Sequence, residues 1–121
     1  MKKEVQLFLD GVDAFNRGKF YDAHEFWEEL WLDYKLDDAK CIQGLIQLAV
    51  SYFHLFNNNL KGARSMIKKC LTKFEEFTIC RGIDIKELKK EIKIVQIHFN
   101  ELDNTSDIKD RYIISLKVIH E

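Results

Sequence analysis

His24 and Glu28 stand four residues apart, a spacing that puts an imidazole and a carboxylate on one face of a helix. Such a pair can hold a polar ligand, relay a proton or supply two metal ligands. A second set, Gln43, Gln47, Ser51 and His54, recurs at steps of four, four and three and falls within about 80° of helical arc. It forms a polar stripe on the otherwise apolar stretch from Ile42 to Phe56. Only a short link, Lys35 to Asp37, separates the two sets, so their helices are expected to pack as antiparallel neighbours. Glu28 then falls near Gln43 or Gln47, and His24 near Gln47 or Ser51. The rings of Trp27, Trp31 and Tyr52 are available as apolar walls.

The expected chemistry is recognition. His24, Glu28, Gln43, Gln47, His54 and Trp31 are the candidate ligand-binding residues, for a small polar ligand or a partner segment; no catalytic residue is assigned, and no cofactor is expected. The plainest competitor is structural, with the stripe as a solvated side and the His24–Glu28 pair bonded locally at the core margin. A metal-dependent hydrolase is the alternative, with His24, Glu28 and His54 as ligands and Glu25 as base. Against it, the zincin pattern needs a second histidine where Glu28 stands, and Glu25 points about 100° from His24. Cys41, Cys70 and Cys80 lack a C-x-x-C pair or an adjacent histidine and read as inert thiols.

These residues need helices to hold them. With no proline and five glycines in 121 residues, the chain is poor in breakers and rich in helical periodicity. Five helices are expected: Lys3 to Arg17, stopped by Gly18; Phe20 to Tyr34; Asp38 to Phe56, broken by Asn57-Asn58-Asn59; Leu60 to Cys80, stopped by Gly82; and a last one capped by Asp84, with Glu87 three residues on and a seam of Ile85, Leu88, Ile92, Val95, Phe99 and Leu102. The β-branched run from Tyr112 to Ile119 is expected as an extended tail docked on the bundle. A shift of 40 residues superposes Phe20 on Leu60, Ala23 on Ala63 and Trp27 on Ile67, so two helical hairpins are expected to be pseudo-repeats of TPR-like form. Gly11 and Ser51 are the small residues that let their helices approach.

The whole, residues 1–121, reads as one all-α domain, a compact bundle large enough to bury a core without staples. Net charge is −1, with 19 basic and 20 acidic residues unevenly spread. Residues 1–40 carry −4 and residues 60–93 carry +5. The basic row Lys61, Arg64, Lys68, Lys69 and Lys73 is a second alternative, an anion or nucleic-acid face, although no nucleic-acid motif accompanies it and a solvated helix face is the commoner meaning. The opposite charges also leave a homo-oligomer open. The interrupted apolar stretch is too short for a membrane span, and the odd, unpaired cysteines with no leader before Met1-Lys2-Lys3-Glu4 point to a cytoplasmic protein.

The run Phe15-Asn16-Arg17-Gly18-Lys19-Phe20-Tyr21-Asp22-Ala23-His24-Glu25-Phe26-Trp27-Glu28-Glu29-Leu30-Trp31, with Gln43-Gly44-Leu45-Ile46-Gln47-Leu48-Ala49, His54 and Gly62-Ala63 after it, resembles the family catalogued as domain of unknown function 309. The likeness covers about residues 5 to 75 and departs chiefly at Asn58-Asn59, where the family more often has Arg-Gly-Asn. It implies a small all-helical bundle of prokaryotes and plastid-bearing lineages and brings no reaction with it. Its motif positions correspond here to His24, Glu25, Glu28, Trp31, Gln43, Gln47 and His54.

Overall fold

Residues 2–108 and 110–119 are described by a computed structural model, apart from the side chain of Arg111. Five α-helices follow one another: α1 (Lys3–Asn16), α2 (Phe20–Asp33), α3 (Ala39–Phe56), α4 (Leu60–Phe74) and α5 (Ile85–Glu101). Each of α1 to α4 packs on its chain neighbour, and α5 packs on α4. No described helix is long and apolar enough to cross a membrane.

The fourth helix is shorter than its periodicity suggests. It ends at Phe74, and residues expected to continue it form β1 (Ile79–Cys80), paired antiparallel with β2 (Ile83–Asp84). The two residues between the strands, Arg81 and Gly82, have φ of +48° and +83°. Positive φ at both central positions is what a tight hairpin turn requires. Gly82 therefore closes a hairpin and does not stop a helix. Immediately after it, Asp84 caps α5 by accepting the Glu87 backbone N–H at 3.0 Å, as expected.

Close approach begins at Gly11. A β-carbon there would stand 2.1 Å from Trp27 Nε1, so only glycine lets α1 accept the indole face of α2. Trp27 is fully buried and donates Nε1–H to the Phe8 carbonyl at 3.1 Å, which satisfies its one polar atom. Around it Phe15, Phe20, Tyr52 and Phe99 are buried in edge and stacked contacts.

The α1–α2 and α3–α4 turns share one backbone pattern at a spacing of 40. Gly18 and Asn58 both have left-handed φ, +79° and +60°. The N–H groups of Arg17 and Lys19 donate to the Ala14 carbonyl at 3.2 and 2.8 Å, and those of Asn57 and Asn59 to the His54 carbonyl at 3.1 and 2.9 Å. Asn59 adds a side-chain cap, accepting from Gly62 N–H at 2.9 Å.

After two short 3-10 turns (Thr105–Asp107 and Asp110–Tyr112), residues 113–119 lie against the bundle without regular secondary structure. Tyr52 Oη donates to the Tyr112 carbonyl and accepts Ile114 N–H at 3.0 Å. Asn16 clasps Leu116 through both backbone groups, at 2.7 and 2.8 Å, and Ile119 N–H donates to the Gly82 carbonyl at 2.8 Å. Hydrogen bonds from buried Tyr52 and exposed Asn16 thus tie down, as a strap, a run without a sheet of its own.

Candidate functional site

Helical phase brings His24 and Glu28 together, with His24 Nε2 and Glu28 Oε2 2.6 Å apart. The pair is open to solvent, His24 about a quarter exposed and Glu28 about half. Tyr21 packs edge-on to the His24 ring, with centroids 5.6 Å apart, and leans on Phe53 of α3 at 5.4 Å. Glu25 lies on the exposed side, and Trp31, a candidate apolar wall, is 37% exposed.

The polar stripe of α3 has different partners. Ser51 is buried and donates Oγ–H to the Ala63 carbonyl of α4 at 2.8 Å. His54 Nδ1 lies 3.3 Å from Asn59 Nδ2, beside the start of α4. Gly44, on the same side of the helix, meets the Phe74 ring of α4. Gln43 and Gln47 are half-buried, and the Gln47 Oε1 atom is buried without a hydrogen-bond partner. Ser51, an expected neighbour of His24, thus bonds to α4, and His54 lies beside the start of that helix. The reason is rotational: Phe53 turns toward Tyr21 of α2, which carries Ser51 and His54 round toward α4. Among the described residues, no three His, Cys, Asp or Glu side chains converge as a group that could hold a metal ion.

Two open grooves lie along α2, one of them lined by the His24–Glu28 pair. One, of about 660 Å³, lies at the α1–α2 turn between Phe20, Tyr21, Phe53, Phe56 and Ile113 of the strap, with Arg17 and Lys19 on its rim. The other, of about 600 Å³, runs along α2 past His24 and Glu28 and is lined by Asp22, Glu25, Glu29 and Asp33 with Phe26 and Leu32. Both include Tyr21 and Asp22. An apolar recess and an acidic one therefore lie on either side of these two residues.

The basic row on α4 loses its most directional member to the fold. Arg64 donates Nε–H to the Phe99 carbonyl at 2.9 Å and Nη2–H to the Leu102 carbonyl at 2.8 Å, closing the C-terminal end of α5, where a cation is electrostatically favoured.

Sequence reasoning missed the densest charged cluster. Arg81, at the hairpin turn, donates Nε–H to Asp38 Oδ2 at 2.8 Å and Nη2–H to Glu4 Oε1 at 3.0 Å, with its guanidinium carbon 5.6 Å from the Phe8 ring centroid. Asp38 stands at the start of α3 yet caps no backbone N–H, because its carboxylate is taken by Arg81 and by Cys80 Sγ at 3.7 Å. Burial alone raises the Asp38 pKa, but the hydrogen bonds and charge of Arg81 outweigh it, and the net shift is downward. The Arg81-Gly82 dipeptide was the available signal for a turn; nothing in the spacing joined it to Asp38, 43 residues earlier.

An uncharacterized protein of Aquifex aeolicus (strain VF5) is 28% identical over 114 residues, covering 90% of this chain and 33% of its own. The chain thus spans about a third of that relative's length. No solved structure matches. The motif from Phe15 to Trp31 lies inside the segment recognised by a family model, and residues 8–66 match the family described as Domain of unknown function (DUF309).

Proposed function

We propose that this chain, read as one helical domain, is an interaction module that recognises a partner segment along the exposed side of α2. The observation that carries the reading is that the two grooves share Tyr21 and Asp22, with the His24–Glu28 pair lining the acidic one. Open grooves suit an extended segment better than an enclosed small molecule. The partner offers an apolar side chain to the Phe53 and Phe56 recess and cationic residues to Asp22, Glu25, Glu28 and Glu29, and Trp31 provides an exposed ring further along.

The hairpins enter the same proposal as TPR-like units. Support comes from their matched turns and from close contacts at small residues, Gly11 against Trp27 and Ser51 against Ala63. Gln43, Gln47 and His54 are proposed as a second polar edge on the α4 side, supported by the unpartnered Gln47 oxygen. A cytoplasmic setting belongs to the same proposal, with the free thiols as its support, and self-association through opposite charge is one form the partnership takes.

The test is an array of synthetic peptides in which an apolar anchor is followed by lysines and arginines, run beside charge-reversed copies. Binding is expected only for the cationic set, weakening as salt is raised. His24→Ala and Glu28→Gln are expected to abolish it while leaving helical circular dichroism unchanged. If both variants merely lower the melting temperature and bind as the native chain does, the pair is structural and the reading fails.

A further inference from the structure

We propose that the segment taken by the exposed side of α2 is helix α5 of a second copy of this chain. The inference rests on the reading of α2 as a partner site and names its occupant. On the outer face of α5, Lys86, Lys90 and Lys93 are exposed beside Ile94 and Ile97, each isoleucine 57% exposed. Helical phase gathers all five within about 100° of arc. Two acids of the same helix, Glu87 and Glu91, fall about 100° and 140° round from Lys86 and line a recess with Ser115 and Lys117 of the strap. A pair of isoleucines framed by lysines is a helix face matched to a surface both apolar and acidic.

The exposed side of α2 is such a surface. Asp22, Glu25, Glu29 and Asp33 recur along it at steps of three, four and four, with Leu32 64% exposed among them. The row from Asp22 to Asp33 and the row from Lys86 to Ile97 each cover eleven residue steps, about 16 Å of helix. Laid antiparallel, they match along their length. Lys86 comes to Asp33, Lys90 to Glu29, Lys93 to Glu25, and Ile97 to Tyr21 and Asp22, the residues that both recesses share. One turn further on, Glu101 reaches the Arg17-Gly18-Lys19 turn, whose two cations stand on the rim of the apolar recess. Laid parallel, Ile97 falls beside Asp33 and Glu101 toward Asp37, so the antiparallel register is the complementary one. Helix α2 packs on α1 and α3, and α5 on α4, so the two faces belong to different parts of the bundle. The contact joins unlike surfaces, and copies add head to tail, into a ring where the rotation closes and a chain where it does not.

Glu29 and Lys90 pair loosely within one chain, with Lys3 at 3.9 Å and Glu87 at 4.0 Å, and reversing such exposed charges costs the fold little. The full chain is followed by sedimentation velocity from dilute to concentrated solution, at low and raised salt. Its sedimentation coefficient is expected to rise with concentration at low salt and to fall back as salt is added. Lys90→Glu and Glu29→Lys are each expected to weaken association about tenfold or more. An equimolar mixture of the two is expected to restore it, because the first chain still offers Glu29 and the second still offers Lys90. A native chain that stays monomeric, a Lys90→Glu chain that associates as before, or a mixture that stays apart overturns the inference. The α2 reading is judged separately by the cationic peptides, which the Lys90→Glu chain, its α2 face intact, is expected to bind. Peptide binding by a native chain that never self-associates removes α5 as the occupant and leaves the α2 reading standing.

Discussion

Asp38 shows what a single side chain contributes and when it stops contributing. Its pKa is lower in the folded chain than the ordinary carboxylate value of about 3.9, so the folded state favours the ionised form. The associated stability is fully present above the unfolded value and is lost as pH falls through the folded one. Asp38→Asn is therefore expected to cost about 1–2 kcal/mol at neutral pH and progressively less on acidification, a convergence that urea midpoints measured from pH 7 to pH 2 will show or deny. Gly11 illustrates the opposite constraint, where an added atom does the harm. Gly11→Ala forces a methyl into the Trp27 indole, and a loss of about 2 kcal/mol or more is expected from overpacking. A denaturation midpoint unchanged from the native chain would mean that the two helices are free to separate. The need for glycine at position 11 was legible in its place on a helix beside bulky neighbours; the tie from Asp38 to Arg81 was not, because an ion pair between residues 43 apart leaves no local periodicity.

Elements were legible where burial repeats along one helix. The phase of α2 follows from Phe20, Ala23, Trp27 and Leu30, all buried, and α5 follows from its seam and its Asp84 cap. Phase does not say which neighbour a face will meet. Gln47, Ser51 and His54 share a side of α3 as their spacing requires, yet Ser51 and His54 turn to α4 because aromatic contacts at Phe53 decide the rotation. The fourth helix misled for a related reason: Phe77 and Cys80 continue an apolar repeat, but the positive φ at Arg81 and Gly82 belongs to a hairpin, and local apolar spacing does not distinguish the two. The strap makes a sharper prediction. Asn16→Ala removes both partners of Leu116, and faster hydrogen exchange is expected at the Leu116 amide while amides within α2 and α3 keep their protection. Equal loosening everywhere would mean that the strap is integral to global stability. At the end of α5, Arg64→Ala is expected to fray the last turn and Arg64→Lys to restore little, since one ammonium cannot reproduce the fork that reaches Phe99 and Leu102; backbone chemical shifts of residues 98–102 report this directly.

For the molecule as a whole, the all-helical bundle was legible from composition and periodicity, whereas the assembly of the candidate site depended on packing that no segment encodes alone. The hairpin corner also governs where the chain enters and leaves. Arg81 holds Glu4 near the beginning of α1, and the next residue, Gly82, holds Ile119 at the far end of the strap. Val5 and Ile119 line one recess beside them. The two extremities of the described chain are thus neighbours in space, though more than a hundred residues separate them along the sequence. A circular permutant follows naturally: a short flexible linker joining these extremities, with new ends cut at the exposed Lys35 in the link between α2 and α3, is expected to fold to the same bundle. By the same geometry the fold can be spliced into a surface loop of a host protein while spreading that loop very little.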